Sequence, residues 1–258
     1  QDMLIEKGLL TCKEVKTSDL GVNARHVDYS KQFTQKIALL RKAFERFDLH
    51  DKKFVGFVEQ GRYKDFATFM TFKCAFGHKV WSEWKEPYRT YNEKVINEYL
   101  IRKRHEFLFW QFTQYIFLLQ WNSLKDYAHS KNIELMGDIP LYLAYDSVEM
   151  WKYGEKLFMV DEYRRPECVA GVPPDAFCDD GQLWGNPLYD WKKMRRDGYK
   201  WWNERINECL DFFDILRIDH FRGFDRFYAV KAGSLNARKG EWLDGPKEEL
   251  FKDKLDYK

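Results

Sequence analysis

Apolar residues recur at helical spacing through the first half of the chain. Ser30 is a candidate N-cap for one such helix, which carries lysine and arginine on its polar face. Its apolar positions are Phe33, Ile37, Leu40, Phe44 and Phe47. A second helix is predicted over 97–129, and because its middle is apolar on most sides, we expect other elements to bury it. The spacing predicts a mainly helical region over residues 1–131.

The pattern changes at Asn132, where short apolar runs replace the helical spacing. The run 133–139 ends at Pro140, which cannot donate to a central strand ladder, so we expect a strand to stop there. A second strand is predicted over 214–219. The helix before that strand has the apolar face Trp202, Ile206, Cys209 and Phe213. A helix followed by a strand, twice over, is typical of an α/β fold with parallel strands.

An insertion is expected between the two predicted strands, because the intervening residues are too many for an ordinary helical crossover. It lies near 142–190 and is rich in glycine and proline, which predicts a long ordered loop rather than regular structure. Loops of this size in compact proteins are usually functional. Residues 132–258 are therefore predicted to hold two strands and a functional loop.

Charge and composition narrow the class of protein. The chain has 43 Lys+Arg against 41 Asp+Glu, a formal net charge of +2 without long blocks of one sign, which argues against a dedicated nucleic-acid or anionic-membrane binder. With 45% hydrophobic and 33% charged residues, it has the balance of a folded soluble protein. Aromatic residues make up 18%, which fits either bulky core packing or a cleft that stacks on a flat ligand such as a sugar ring.

The cysteines and the hydropathy predict a cytoplasmic protein. Five scattered cysteines without a C-x-x-C pair read as reduced thiols. The most apolar segment, 107–121, is too short to span a bilayer, and no signal peptide is recognised. The sequence opens at Gln1 within an apparent helix, so we expect a piece of a longer chain.

Several common motifs are excluded, and neither a cofactor nor a metal is predicted. The glycines Gly56 and Gly61 have phosphate-loop spacing, but Arg62 and Tyr63 follow where Lys and Ser/Thr are needed. No G-x-G-x-x-G or G-x-S-x-G occurs, and the pair at 105–106 lacks the second histidine of a zinc-protease helix.

The candidate chemistry lies at the carboxyl ends of the two predicted strands. Arg217 and Asp219 share one face of the second strand about 6–7 Å apart, and a cation that close keeps a carboxylate ionised as a nucleophile. The alternative is an ion pair that caps a strand end. If both strands belong to one parallel barrel, Asp138 converges on the same face. Two carboxylates there suit glycosyl chemistry, or divalent metal binding, although no compact set of oxygen ligands is visible.

The insertion adds polar and aromatic candidates on turns. Asp175, Gln182 and Trp184 offer hydrogen-bonding groups beside a stacking plane, as a sugar site requires. For each of them, ordinary turn chemistry or a buried tryptophan is the alternative interpretation.

Four segments together resemble the 4-α-glucanotransferases, which are the amylomaltases or disproportionating enzymes related to the α-amylases. These segments are GDIPLYLAYDS (137–147), VAGVPPDAF (169–177), GQLWGNPLYDW (181–191) and LRIDHFRGF (216–224). A weaker similarity covers nearly the whole chain. The resemblance implies a (β/α)8 TIM barrel with inserted helical and loop subdomains, only partly covered by this chain. It also implies a cofactor-independent retaining transfer between malto-oligosaccharides and other α-1,4-glucans, in starch, glycogen or maltose metabolism.

The resemblance assigns roles residue by residue. Asp219 matches the nucleophile that forms the covalent glucosyl intermediate, Arg217 matches the arginine that orients it, and His220 falls in the same motif near the bound sugar. The substrate-binding positions implied by the same comparison are Asp138, Tyr142, Asp175, Gln182 and Trp184.

The sequence also departs from the family pattern. The acid/base glutamate belongs to a segment resembling A-E-D-L-G, which is missing here, as is the family's G-D-S-P-Y-Q segment. Glu241, Glu248 and Glu249 lie in a polar stretch and do not match it. We therefore expect an internal fragment that is inactive alone. The alternative functions are an α-amylase-type hydrolase, with water as acceptor, and a non-catalytic α-glucan-binding protein.

Overall fold

The computed structural model describes residues 1–21 and 25–252, and these form two units. The helical unit comprises residues 1–21, 25–78 and 93–126, and the strand unit comprises residues 79–92 and 127–252. The segment 79–92 thus belongs with the later part of the chain. The sequence-based division into domains of residues 1–131 and 132–258 stays a prediction.

The helical unit is built from amphipathic helices around an aliphatic and aromatic core. Its helices are α1 (Asp2–Glu6), α2 (Cys12–Thr17), α3 (Tyr29–Glu45), α4 (Lys52–Glu59), α5 (Lys64–Ala75), α6 (Glu93–Arg102) and α7 (Arg104–His129), of which the last three residues fall in the strand unit. Phe44 of α3 packs at 5.6 Å from Phe109 and 5.3 Å from Phe112 of α7, measured between ring centroids. The middle of α7 is buried, as its apolar pattern predicts.

Two details of these helices differ from the sequence-based expectation. Asp28, not Ser30, is the N-cap of α3, because the helix begins at Tyr29 and the Asp28 carboxylate accepts the Lys31 N–H at 3.0 Å. The predicted helix over 97–129 is two helices separated at Lys103, although the bonds of Lys103 N–H to Tyr99 O and Phe107 N–H to Lys103 O continue across the break.

The strand unit contains short strands interspersed with helices. Its elements are β1 (Met136–Ile139), α8 (Val148–Tyr153), β2 (Cys168–Val172), β3 (Gln182–Pro187), α9 (Trp191–Arg195), α10 (Lys200–Phe212), β4 (Ile215–Ile218), α11 (Arg222–Asp225), β5 (Arg226–Lys231) and β6 (Gly240–Asp244). Its core is aromatic, and Trp151, Phe158 and Trp202 are fully buried. Many of the aromatic residues therefore serve as core packing.

The two predicted strands pair in parallel, as expected. β1 ends before Pro140, and its register with β4 sets Asp138 opposite Arg217. The Asp219 N–H donates to Ile139 O at 2.9 Å just beyond the ladder. The α/β prediction with parallel strands is confirmed.

The expectation of irregular structure over 142–190 is wrong. The segment contains α8 and the antiparallel strands β2 and β3, which join β5 and β6 in a sheet of order β3-β2-β5-β6. Gly171, Gly185 and Pro187 lower the strand propensity of β2 and β3, and β2 pairs on its other side with β5, which is distant in sequence. The polar stretch that contains Glu241 likewise forms β6.

The segment 79–92, for which the sequence suggested no function, anchors other parts of the strand unit. The Trp81 indole N–H donates to Tyr145 O at 2.8 Å, and the Trp151 indole N–H donates to Tyr88 O at 2.9 Å. This segment thereby fastens α8 and the loop that precedes it. Throughout residues 1–21 and 25–252, no helix has the length and apolarity needed to cross a membrane.

Candidate functional site

One guanidinium bridges two carboxylates at the carboxyl ends of β1 and β4. Nη2 of Arg217 lies 2.8 Å from Oδ2 of Asp138 and 3.3 Å from Oδ1 of Asp219. The parallel register produces the first contact, and the alternation of side chains along β4 produces the second. All three side chains are exposed, so a ligand can reach them.

The two contacts of Arg217 are unequal. Its hydrogen bond to Asp138 is the main reason that the pKa of Arg217 is raised above its ordinary value, followed by the charge of Asp138 and then that of Asp219. Oδ2 of Asp219 accepts no hydrogen bond from any residue in the described part of the chain. Asp219 is therefore held by one oxygen while the other can react.

His220 turns the chain away from β4 and lies against two aromatic rings. Its φ is +53°, in the left-handed region. Its ring centroid is 4.8 Å from Trp184 in an edge-on arrangement and 6.2 Å from Tyr142. Burial lowers the pKa of His220, against the opposing effect of the Asp219 carboxylate. The imidazole is therefore neutral at neutral pH.

β3 presents a tryptophan plane and an amide beside this histidine. Trp184 is 38% exposed, and its indole N–H donates to Oε1 of Gln182 at 3.1 Å. The side-chain amide of Asn186 donates to Leu143 O at 2.9 Å, which fixes β3 beside the segment after β1. The Trp184 ring therefore offers a surface on which a flat ligand can stack, with the Gln182 amide at its edge.

Tyr142 lies beneath these rings and is only 8% exposed. Its ring centroid is 6.3 Å from both Trp184 and Tyr189. Burial raises the pKa of Tyr142, so its phenol is neutral. Tyr142 supports the Trp184 and His220 rings, and direct contact with a substrate remains a prediction for it.

The carboxylate of Asp175 accepts hydrogen bonds from the backbone of its own turn. Oδ1 accepts the backbone N–H groups of Phe177 at 2.9 Å and Cys178 at 3.0 Å. Within residues 1–21 and 25–252, no side-chain hydrogen bond or ion pair joins Asp175 to Asp138 or Asp219. Phe177 stands at the tip of this turn and is 95% exposed.

Two residues that the sequence did not suggest lie behind the site. Tyr189 and Arg205 bind the backbone carbonyls of Pro140 and Leu141, directly after β1. The spacing of Trp201, Trp202 and Arg205 was a possible signal, because residues three and four apart share a helix face. The described residues contain no group of three or more His, Cys, Asp or Glu side chains placed to hold a metal ion.

Comparisons with known proteins agree on one family. A family model described as 4-alpha-glucanotransferase matches residues 1–254. The chain is 41% identical over 255 residues to the 4-alpha-glucanotransferase of Streptococcus pneumoniae, covering 97% of this chain and 50% of that protein. It is 38% identical over 253 residues to the enzyme of the same name from Clostridium butyricum, covering 97% and 52%.

A solved structure gives the same result. The chain superposes on an amylomaltase from Streptococcus agalactiae in complex with acarbose with a TM-score of 0.91 and 35% identity, covering 97% of this chain and 52% of that one. The chain thus spans about half the length of these relatives. The predicted fold class, a (β/α)8 barrel with insertions that is only partly covered here, is confirmed. The chain belongs to the 4-alpha-glucanotransferase family.

Proposed function

We propose that this chain supplies the nucleophile part of the active site of a 4-α-glucanotransferase. The whole enzyme transfers α-1,4-glucan segments between malto-oligosaccharides. The observation that carries this proposal is the cluster of Asp138, Arg217 and Asp219 at the ends of adjacent parallel strands, next to the rings of Trp184 and His220. Family membership supports the same reaction.

In the first step, Oδ2 of Asp219 attacks the anomeric carbon of the donor glucan and forms a covalent glucosyl ester. The bond between that carbon and the glycosidic oxygen breaks, and the departing sugar takes a proton from an acid, which the resemblance assigns to a glutamate outside this sequence. In the second step, that same glutamate, now deprotonated, takes the proton of an acceptor hydroxyl, whose oxygen attacks the same carbon while the bond from that carbon to Asp219 breaks. Two inversions give net retention. Arg217 orients Asp219 and also binds Asp138.

Transfer instead of hydrolysis requires that water be kept from the glucosyl ester until the acceptor arrives. Trp184 and Gln182 lie where a sugar ring can stack and hydrogen-bond, and we assign them to the acceptor side. Asp138, Asp175 and Tyr142 are assigned to sugar subsites, and His220 is assigned a place near the bound sugar. The names of the relatives favour transfer over the hydrolase alternative.

The test is product analysis with maltotriose and the full-length protein that contains this chain. We expect both longer and shorter oligosaccharides. Only shorter products would mean hydrolysis, and maltodextrin binding without turnover would support the non-catalytic alternative.

Asp219→Asn in the same assay tests the nucleophile. We expect a loss of at least about 10³-fold, because removing a covalent nucleophile removes the whole two-step route. Asp225→Asn is the matched control, since this exposed carboxylate lies six residues further along the chain. An active Asp219→Asn protein would exclude the assignment.

We also infer a cytoplasmic location and a role in starch, glycogen or maltose metabolism. All five cysteines are free thiols in the structure, as expected in a reducing compartment. We assign residues 1–131 to an inserted helical subdomain with a barrel helix, and residues 132–258 to the central barrel segment with its substrate loop. Cell fractionation tests the location.

A further inference from the structure

The backbone directly after β1 is held by side chains from elsewhere in the strand unit. Pro140 O accepts Nη2 of Arg205 at 2.8 Å. Leu141 O accepts the Tyr189 hydroxyl at 3.0 Å and Nη1 of Arg205 at 3.3 Å. Pro140 ends the ladder, so these side chains supply partners that the sheet no longer provides.

The two side chains are themselves fixed. Tyr189 is 1% exposed, and its hydroxyl oxygen lies 3.4 Å from Nη1 of Arg205, which can donate to it. The Arg205 guanidinium carbon is 4.7 Å from the ring centroid of Trp202 and 5.5 Å from that of Trp201, within cation–π range. Burial raises the pKa of Tyr189, so its hydroxyl stays protonated as a donor. The backbone of Pro140 and Leu141 is therefore held by two side chains that are themselves packed against aromatic rings.

This backbone touches the segment that carries the proposed nucleophile. A Cβ on Gly223 would lie 2.2 Å from Cδ2 of Leu141, which shows how closely the two segments approach. Tyr142, the next residue, stacks over Tyr189 and meets His220. A displacement of Leu141 would therefore shift Tyr142 and, through it, the ring of His220.

We propose that Tyr189 and Arg205 are positioning residues, which fix the backbone after β1 and so hold Asp138 against Arg217 and Tyr142 against His220. Neither side chain touches the carboxylates. The catalytic consequence rests on the proposed function, whereas the structural consequence does not.

The first test measures backbone order without activity. In the full-length protein, Tyr189→Phe removes the hydroxyl alone, and we expect faster amide hydrogen exchange in peptides covering 141–147. Tyr228→Phe is the matched control, because Tyr228 of β5 is 5% exposed and donates to the backbone carbonyl of Ala237 at 3.2 Å, away from β1 and β4. That control should change exchange near 237 and leave 141–147 unaltered. Unchanged exchange over 141–147 in Tyr189→Phe would overturn the proposal.

The second test separates turnover from binding on maltotriose. A misplaced catalytic group can cost up to about 10²-fold, so we expect kcat to fall about tenfold in Tyr189→Phe with KM changed less than about twofold. Tyr228→Phe should keep both constants. Arg205→Gln should lower kcat similarly, and Arg205→Lys should partly restore it, because an ammonium group can still bind one of the two carbonyls.

The outcomes distinguish the two proposals. A wild-type protein without turnover would reject the proposed function, and the exchange experiment would still decide the positioning role. Wild-type turnover with equal kcat in Tyr189→Phe and Tyr228→Phe would reject the positioning role and leave the proposed function standing. If Tyr189→Phe does not fold, the same two measurements are made on the Arg205 variants. Faster exchange over 141–147 and a lower kcat in Arg205→Gln than in Arg205→Lys would support the positioning role, and equal values would reject it.

Discussion

At the scale of single residues, the imidazole of His220 is partly buried beside the rings of Trp184 and Tyr142. Burial lowers its pKa, so between that lowered value and the ordinary value of about 6.5 the unfolded chain binds a proton that the folded chain does not. Stability therefore falls as the pH drops below the ordinary value and rises again as the pH increases through this window. His220 favours folding in its neutral form.

Trp184→Ala tests this cause. It removes the ring 4.8 Å from His220, so we expect the pKa of His220 to rise toward its ordinary value. The measurement is an NMR titration of the His220 ring protons. Phe177→Ala, which removes an aromatic side chain that is exposed, should leave the titration unchanged. An unshifted midpoint in Trp184→Ala would mean that other groups bury the imidazole.

At the scale of secondary-structure elements, two glycines should respond oppositely to the same substitution. A Cβ on Gly137 of β1 would lie 2.1 Å from the Phe213 ring, whereas a Cβ on Gly56 of α4 would meet nothing within 4 Å. We expect Gly137→Ala to lower the free energy of unfolding by about 1–3 kcal/mol through overpacking. Gly56→Ala should raise it by about 0.5–1 kcal/mol, because alanine favours the helix. Urea denaturation measures both, and equal effects would contradict this explanation.

An ion pair joins α3 to α7 within the helical unit. The Arg41 guanidinium donates to both oxygens of Glu106 at 2.9 and 2.7 Å, and the Trp110 indole donates to one of them at 2.9 Å. Burial alone would raise the pKa of Glu106, but the hydrogen bond and charge of Arg41, together with hydrogen bonds from Cys74 and Trp110, outweigh burial and lower it. The pair therefore stabilises the fold above the ordinary glutamate pKa, and this stabilisation is lost as the pH falls through the lowered value.

Arg41→Met should lower the free energy of unfolding at neutral pH by about 1–3 kcal/mol, because a half-buried carboxylate loses its charged partner. The difference from wild type should shrink in acid, where Glu106 becomes protonated. Arg89→Met is the control, since the Arg89 guanidinium donates two hydrogen bonds to Glu86 in an ion pair whose side chains are 45% and 48% exposed. Denaturation followed by circular dichroism gives both values, and an equal loss in the control would refute the role of burial.

At the scale of the whole molecule, the β1–β4 pair leaves an apolar surface open. In the described part of the chain, these strands pair only with each other, whereas parallel strands normally lie in larger sheets covered on both faces. A cavity of about 540 Å³ adjoins β4 and α10. It is lined by Ile206, Asn207, Leu210, Leu216, Ile218, Phe221 and Phe251. Because the relatives are about twice as long, we expect the rest of the barrel to cover this surface.

A hydrophobic dye tests that expectation. The isolated 258-residue chain should bind the dye and show no turnover of maltotriose, and the full-length protein should bind little dye. Leu210→Ser with Phe221→Ser should reduce dye binding by the isolated chain. Leu235→Ser should not, because Leu235 is an exposed leucine outside this surface. Equal dye binding by the isolated and full-length proteins would contradict the expectation.

The sequence alone determined the features that depend on local periodicity and backbone chemistry. Helical spacing located α3 and α7, Pro140 ended β1, and strand alternation set Arg217 and Asp219 on one face. These features depend on residues a few positions apart, so a single sequence contains the information. Strands β2 and β3 were missed because their glycines and proline favour turns locally, and the pairing of β2 with the distant strand β5 outweighs that preference.

Only the tertiary structure decided which distant residues meet. The bridge from Arg217 to Asp138, the contact of His220 with Trp184, and the hydrogen bond from Tyr189 to Leu141 each join separate segments. The spacing of residues along the sequence shows which face of a helix or strand each one occupies. The residue that it contacts in another segment is fixed by the register of the parallel ladder and by the packing of α10. For the same reason the sequence could not show that Asp175 binds its own turn, since the carboxylate could as well have faced a ligand.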